Sequence, residues 1–77
     1  MPKIFEKEGY RFFFYSNEHS PIHVHVRHGD GEAVFAIDPE VDLREAVALN
    51  TRQLSRVKEL INEHVEVIRQ AWHEHFR

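Results

Sequence analysis

PIHVHVRHGDGEAVFAI, residues 21–37, leaves a chain of this kind few ways to fold. Valine alternates with histidine at the period of two that a half-buried strand shows, and Gly29-Asp30-Gly31 then breaks the run. A two-residue turn at Gly29-Asp30 pairs Ile22 with Ile37, Val24 with Phe35 and Val26 with Ala33. Every pair on that face is apolar. The opposite face carries His23 with Ala36, His25 with Val34, and Arg27 with Glu32. Sliding the turn to Asp30-Gly31 changes the partners but not the faces, because each residue keeps its parity. The aliphatic face is therefore the core face, and His23, His25 and Arg27 project from the other.

The flanking segments extend this hairpin. Ile4 and Phe5 open a first strand, Lys7-Glu8-Gly9 turns the chain, and Tyr10 to Tyr15 forms a second strand in which Glu6 faces Arg11. Phe12, Phe13 and Phe14 are apolar on both pleat faces, as an interior strand covered on both sides would be. The stretch from Ser16 to Pro21 reads as a polar loop. Residues 38–49 are the least legible, with Pro39 ending a strand and a short edge strand or turn following.

Beyond them the signal is helical. Asn50 and Gln53 have capping-box spacing, and Leu49 and Leu54 sit at staple spacing. Leu54, Val57, Ile61, Val65, Ile68 and Trp72 step by threes and fours along one stripe. One helix over 51–76 would be about 39 Å long, against a radius of gyration of about 11–12 Å for a domain this size. A break near Asn62 to His64 is expected. The architecture predicted is α+β: a four-stranded antiparallel meander of two consecutive β-hairpins, with two C-terminal helices packed on the Val24/Val26 face. Residues 1–77 make a single domain.

Composition narrows the function classes. Seventy-seven residues hold one small core, which is marginal without further burial from a homo-oligomer or a partner protein. There is no cysteine, which fits a reducing cytosol and excludes thiolate zinc ligation and a thiol nucleophile. No apolar run nears the roughly 20 residues of a membrane span, and the amino terminus lacks a signal-peptide pattern, so the expectation is cytoplasmic with no membrane partner. A net charge of −3, with no basic half, argues against duplex DNA. Seven histidines are the unusual count.

Two strand residues apart, His23 and His25 carry Cβ atoms about 7 Å from each other on one face. That spacing suits three readings. The plainest is an amphipathic surface at a subunit contact. A second is a transition-metal site for Zn or Ni built from His19, His23 and His25 with Glu18; no other cofactor is expected. A third is a metal-independent ribonuclease acting on RNA. One imidazole would deprotonate a 2′-hydroxyl and the other protonate the leaving oxygen, with Tyr15 nearby and Arg27 or Arg11 holding the phosphate. Glu32 is the awkward neighbour there, since it competes for Arg27. His28-Gly29-Asp30-Gly31 lacks P-loop spacing and a following helix, so it is a turn. His73 and His75 diverge on a helix, whereas Trp72 and Phe76 share a face as core anchors. Arg52, Arg56 and Lys58 form a basic area diluted by Glu59 and Glu63.

GYRFFFYSNEHSPIHVHVRHGDGEA, with LNTRQL and AWHEHF downstream, resembles a small bacterial family of unknown function. Its members share a G-Y-x-F-x-F-Y-S-N-E-H core, an H-V-H-V strand, a G-x-G-E-A turn and a C-terminal W-x-x-x-F. Members often have two prolines before H-V-H-V, where this chain has Pro21 and Ile22. The resemblance implies a neighbouring gene for a second small protein, in an arrangement like a toxin–antitoxin pair. It therefore implies a cognate partner and a toxin or regulatory role. The matched polar positions, Tyr15, Asn17, Glu18, His19, His23, His25 and Glu32, are the expected binding residues. The expectation is a partner-binding component, with the ribonuclease and the metal binder as alternatives.

Overall fold

A computed structural model describes residues 3–15 and 21–76. Five strands come first: β1 (Lys3–Lys7), β2 (Tyr10–Phe13), β3 (His23–His28), β4 (Gly31–Ala36) and β5 (Asp42–Val47). Helices α1 (Thr51–Glu63) and α2 (Val65–His75) follow. The strands form one antiparallel sheet in the order β1-β2-β3-β4-β5. The α+β class and the two C-terminal helices match expectation, but the strand count does not: the sheet has five strands rather than four. The added strand is β5, in the stretch the sequence left least legible. It pairs Leu43 with Phe35 and Ala46 with Ala33, and a register shift falls between Val34 and Phe35. Arg44 is the extra residue of that bulge, so the inward positions of β5 lie three apart. A search for period-two alternation passes over such a strand.

The β3–β4 hairpin has the expected register throughout, from His23 opposite Ala36 to His28 opposite Gly31. Its turn places Gly29 at φ +59° and leaves Asp30 at negative φ, the pattern of a type II′ turn. The β1–β2 turn instead has both Glu8 and Gly9 at positive φ, as in type I′. His28 fastens this turn to β3: its Nδ1–H donates to the Gly9 carbonyl at 3.0 Å.

Parity then divides the sheet. Phe12, Val24, Val26 and Phe35 lie under the helices and join Val57, Leu60, Ile61, Ile68 and Trp72 in one buried cluster. Asn50 closes a capping box with Gln53 at the start of α1. The helical stripe bends at His64, which ends α1 and precedes α2 with φ −117° and ψ 19°. The His64 Nδ1–H donates to the Leu60 carbonyl at 2.8 Å, and its ring stacks on Phe5 at 4.4 Å. The break keeps both helices over the sheet in a molecule whose longest extent is 34 Å and whose radius of gyration is 11.4 Å. No helix among the described residues is long and apolar enough to cross a membrane.

Two ion pairs tie the helices to the sheet's loops. Arg69 reaches Asp38 at 2.6 Å. Arg56 grips both carboxylate oxygens of Glu8, with Nε at 2.9 Å from Oε1 and Nη2 on Oε2. The hydrogen bond from Arg56 is the main cause holding the Glu8 carboxyl below its ordinary value. The Glu8 pKa is thus lower folded than unfolded, so the pair adds stability above the unfolded value, and that stability fades as pH falls through the depressed folded value. Glu8→Gln should therefore lower the denaturation midpoint more at about pH 7 than at about pH 3. Equal midpoint shifts at both pH values, in parallel urea titrations, would show that the ion pair contributes nothing.

Candidate functional site

The face away from the helices carries the sequence's candidates, and Glu32 is the residue that joins them. Arg27 Nη2 donates to Glu32 Oε1 at 2.7 Å, and the Tyr15 hydroxyl lies 3.4 Å from Glu32 Oε2. His25 Nδ1 stands 4.0 Å from the same oxygen. Arg27, His25 and Tyr15 thus converge on one carboxylate. The hydrogen bond to Glu32 is also the main reason Arg27 is held above its ordinary, already high pKa.

His25 departs from expectation. It does project from the open face, opposite Phe13 on β2 and Val34 on β4. Yet it is only 9% exposed, stacked on Phe13 at 5.6 Å and capped by the edge of Tyr15 at 4.5 Å. Phe13 is itself 2% exposed, and the edge of Tyr15 packs against it at 5.4 Å. His23 is more accessible. Its Nδ1–H donates to the Pro21 carbonyl at 2.8 Å, which leaves Nε2 as the basic nitrogen of the neutral ring. The ring lies 5.4 Å from His25 and 5.3 Å from Trp72 of α2. The Trp72 contact carries no sequence signal, because it needs the helix in place.

One further feature depends on tertiary register. Glu6 lies opposite Arg11, Arg11 opposite Arg27, Arg27 opposite Glu32, and Glu32 opposite Val47. A single row therefore crosses all five strands: acid, base, base, acid, valine. The outer pairs are complementary, with Arg11 4.0 Å from Glu6 and Arg27 2.7 Å from Glu32. The middle pair is not. Two guanidinium groups, each more than half exposed, stand on directly opposed positions where like charges repel. Beside them lies a recess of about 210 Å³ lined by Glu6, Gly9, Arg11, Arg27 and Gly29.

Chemically, this arrangement fits recognition better than proton transfer. The arginine nearest the imidazoles is engaged by Glu32, and one of the two imidazoles is packed under Tyr15 and against Phe13. The row carries two positive and two negative groups, a poor lining for a polyanion but a suitable seat for a single carboxylate. Asn17, Glu18 and His19, named for binding and the latter two also for metal, lie outside the described residues. Among the described residues, no three histidine, aspartate or glutamate side chains converge as metal ligands. His73 and His75 fall on the exposed side of α2.

A family model described as Domain of unknown function (DUF4160) matches residues 9–73, and the chain belongs to that family. No curated protein and no solved structure matches it.

Proposed function

We propose that this member of the DUF4160 family is a cytoplasmic protein-binding component of a toxin–antitoxin-like or regulatory module, and that it performs no chemistry of its own. Its cognate partner docks on the open face of the sheet and places an acidic side chain between Arg11 and Arg27. The observation that carries this reading is the direct opposition of those two arginines across β2 and β3, with a carboxylate on the outer side of each and none between them in the row. A partner carboxylate would offset the repulsion and complete an acid–base alternation that Glu6 and Glu32 already begin. The flanking surface suits a protein as well. Tyr15 and His23 place half-buried aromatic rings beside charged groups, the mixture common in protein interfaces. A chain of this size also gains most from burying a face against a second protein. The family resemblance read from the sequence, with its implied neighbouring small protein, points the same way.

The test is binding between the purified chain and the protein encoded beside it, measured by calorimetry. Arg11→Glu and Arg27→Glu are each expected to weaken binding about tenfold or more, and the double variant to lose it. Raising the salt concentration should weaken the wild-type complex and leave the residual binding of the variants nearly flat. Undiminished affinity in the double variant would remove this docking face. RNA cleavage by the chain alone, abolished by a His23→Ala, His25→Ala double substitution, would replace the reading with the ribonuclease.

A further inference from the structure

We propose that β5 pairs antiparallel with β5 of a second copy, so that two sheets join edge to edge into one continuous sheet. Strand β5 ends the strand order, and among the described residues nothing pairs with its outer side. All six of its residues are exposed, with Leu43 at 40% and Val47 at 67% the most exposed large apolar side chains near this edge. A recess of about 330 Å³ on the open face reaches the edge past Glu32, Val34, Glu45 and Val47. A second, of about 350 Å³, reaches it on the helix face past Phe35, Leu43 and Leu54. An incoming strand sends side chains alternately to the two faces and so addresses both recesses.

The bulge identifies the occupant. Asp42 lies opposite Ala36, Glu45 opposite Val34 and Val47 opposite Glu32, all on the open face. Leu43 opposite Phe35 and Ala46 opposite Ala33 point to the helices. Arg44, the extra residue, directs its guanidinium to the open side, where Nε is 3.8 Å from Asp42 Oδ2. From Asp42 to Val47 the faces run open, inner, open, open, inner, open. That order reads the same in both directions about the point between Arg44 and Glu45. A two-fold axis through this point, perpendicular to the sheet, sets open residues against open ones and inner against inner throughout. A regular strand of six residues would fail this register, because alternation would oppose an inner residue to an open one at every pair.

The same register is complementary in charge. Arg44 of each copy meets Glu45 of the other, which makes two ion pairs at the centre. Leu43 meets Ala46 on the helix face, again twice. Asp42 stands beside Val47 at the two ends, so no like charges oppose anywhere along the pairing. A bulge and charged side chains ordinarily blunt an edge strand against indiscriminate pairing. Here they reject a regular partner strand and match the chain's own copy. This edge is separate from the Arg11/Arg27 face, so either can fail without the other.

The experiment is analytical ultracentrifugation of the purified full chain across a concentration series up to about 100 µM, a range suited to an interface this small. The wild type should pass from monomer to dimer within it. Arg44→Glu and Glu45→Arg each set like charges against each other at both central contacts. Each should raise the dimer dissociation constant about tenfold or more, while circular dichroism stays unchanged. The double variant R44E/E45R restores both ion pairs with their polarity reversed and should regain the wild-type dimer. A wild type that stays monomeric across the range would overturn the proposal. So would a dimer indifferent to the single substitutions, or one lost in them and not regained in the double variant.

Discussion

Phe12→Ala is expected to lower the thermal midpoint by at least about 12 °C and to leave a substantial unfolded population at 37 °C. Phe12 is fully buried on β2, which is paired on both sides, and it lies under the helices with its ring stacked on Phe5 at 4.3 Å. Truncating a buried phenylalanine costs about 3–5 kcal/mol, because the transfer loss and the remaining cavity add. A chain this short has about 4–12 kcal/mol of stability in total. At this size each kcal/mol shifts the midpoint by about 4–8 °C. Val47→Ala is the control: Val47 is 67% exposed, so the isolated monomer should shift by less than about 3 °C. A Phe12→Ala protein that melts with the wild type in calorimetry would mean that β2 does not lie beneath the helices.

Gly31→Ala should cost about 2–3 kcal/mol, a large loss for adding one methyl group. The reason is close approach rather than backbone angle. A Cβ at Gly31 would stand 2.5 Å from the Ala48 carbonyl oxygen and 2.6 Å from Leu49 Cδ2. Leu49 could swing aside, but the Ala48 oxygen belongs to the backbone that leads β5 into α1. Adding Leu49→Ala to the variant should therefore not rescue it. Gly29 gives the contrast. An added Cβ there meets nothing within 4 Å, so only its φ of +59°, at the first central position of a type II′ turn, opposes a side chain. Gly29→Asn should thus cost about 1 kcal/mol in a urea titration, less than Gly31→Ala. Equal losses for the two glycine variants would show that the β5–α1 connection does not pass over Gly31.

The candidate site was legible in part. His23, His25, Arg27 and Glu32 could be placed on one face from residues 21–37 alone, and Glu32 could be seen as a competitor for Arg27. It could not be seen that His25 is covered, because the cover comes from Phe13 and Tyr15 on a different hairpin. Nor could the Trp72 ring beside His23, supplied by a helix almost fifty residues downstream. The fifth strand escaped for a local reason. Its inner residues, Leu43 and Ala46, are spaced by a bulge and flanked by charges, so the stretch resembles neither a strand nor a helix until β4 supplies the template.

Residues 21–37 by themselves determined which side of the sheet is core. A two-residue turn fixes hairpin register, and period-two alternation then fixes the faces, so no distant contact was needed. The stripe from Leu54 to Trp72 likewise determined amphipathic helix from local spacing, whereas a break in it was expected only because one helix of that length would outrun a domain this small. Only the tertiary structure decided that Arg11 stands opposite Arg27. Those residues lie on strands joined by a connection too long to set register through turn geometry. Their alignment comes from packing Phe12 against Val26 beneath the helices, and such packing is a property of the assembled core rather than of any one segment.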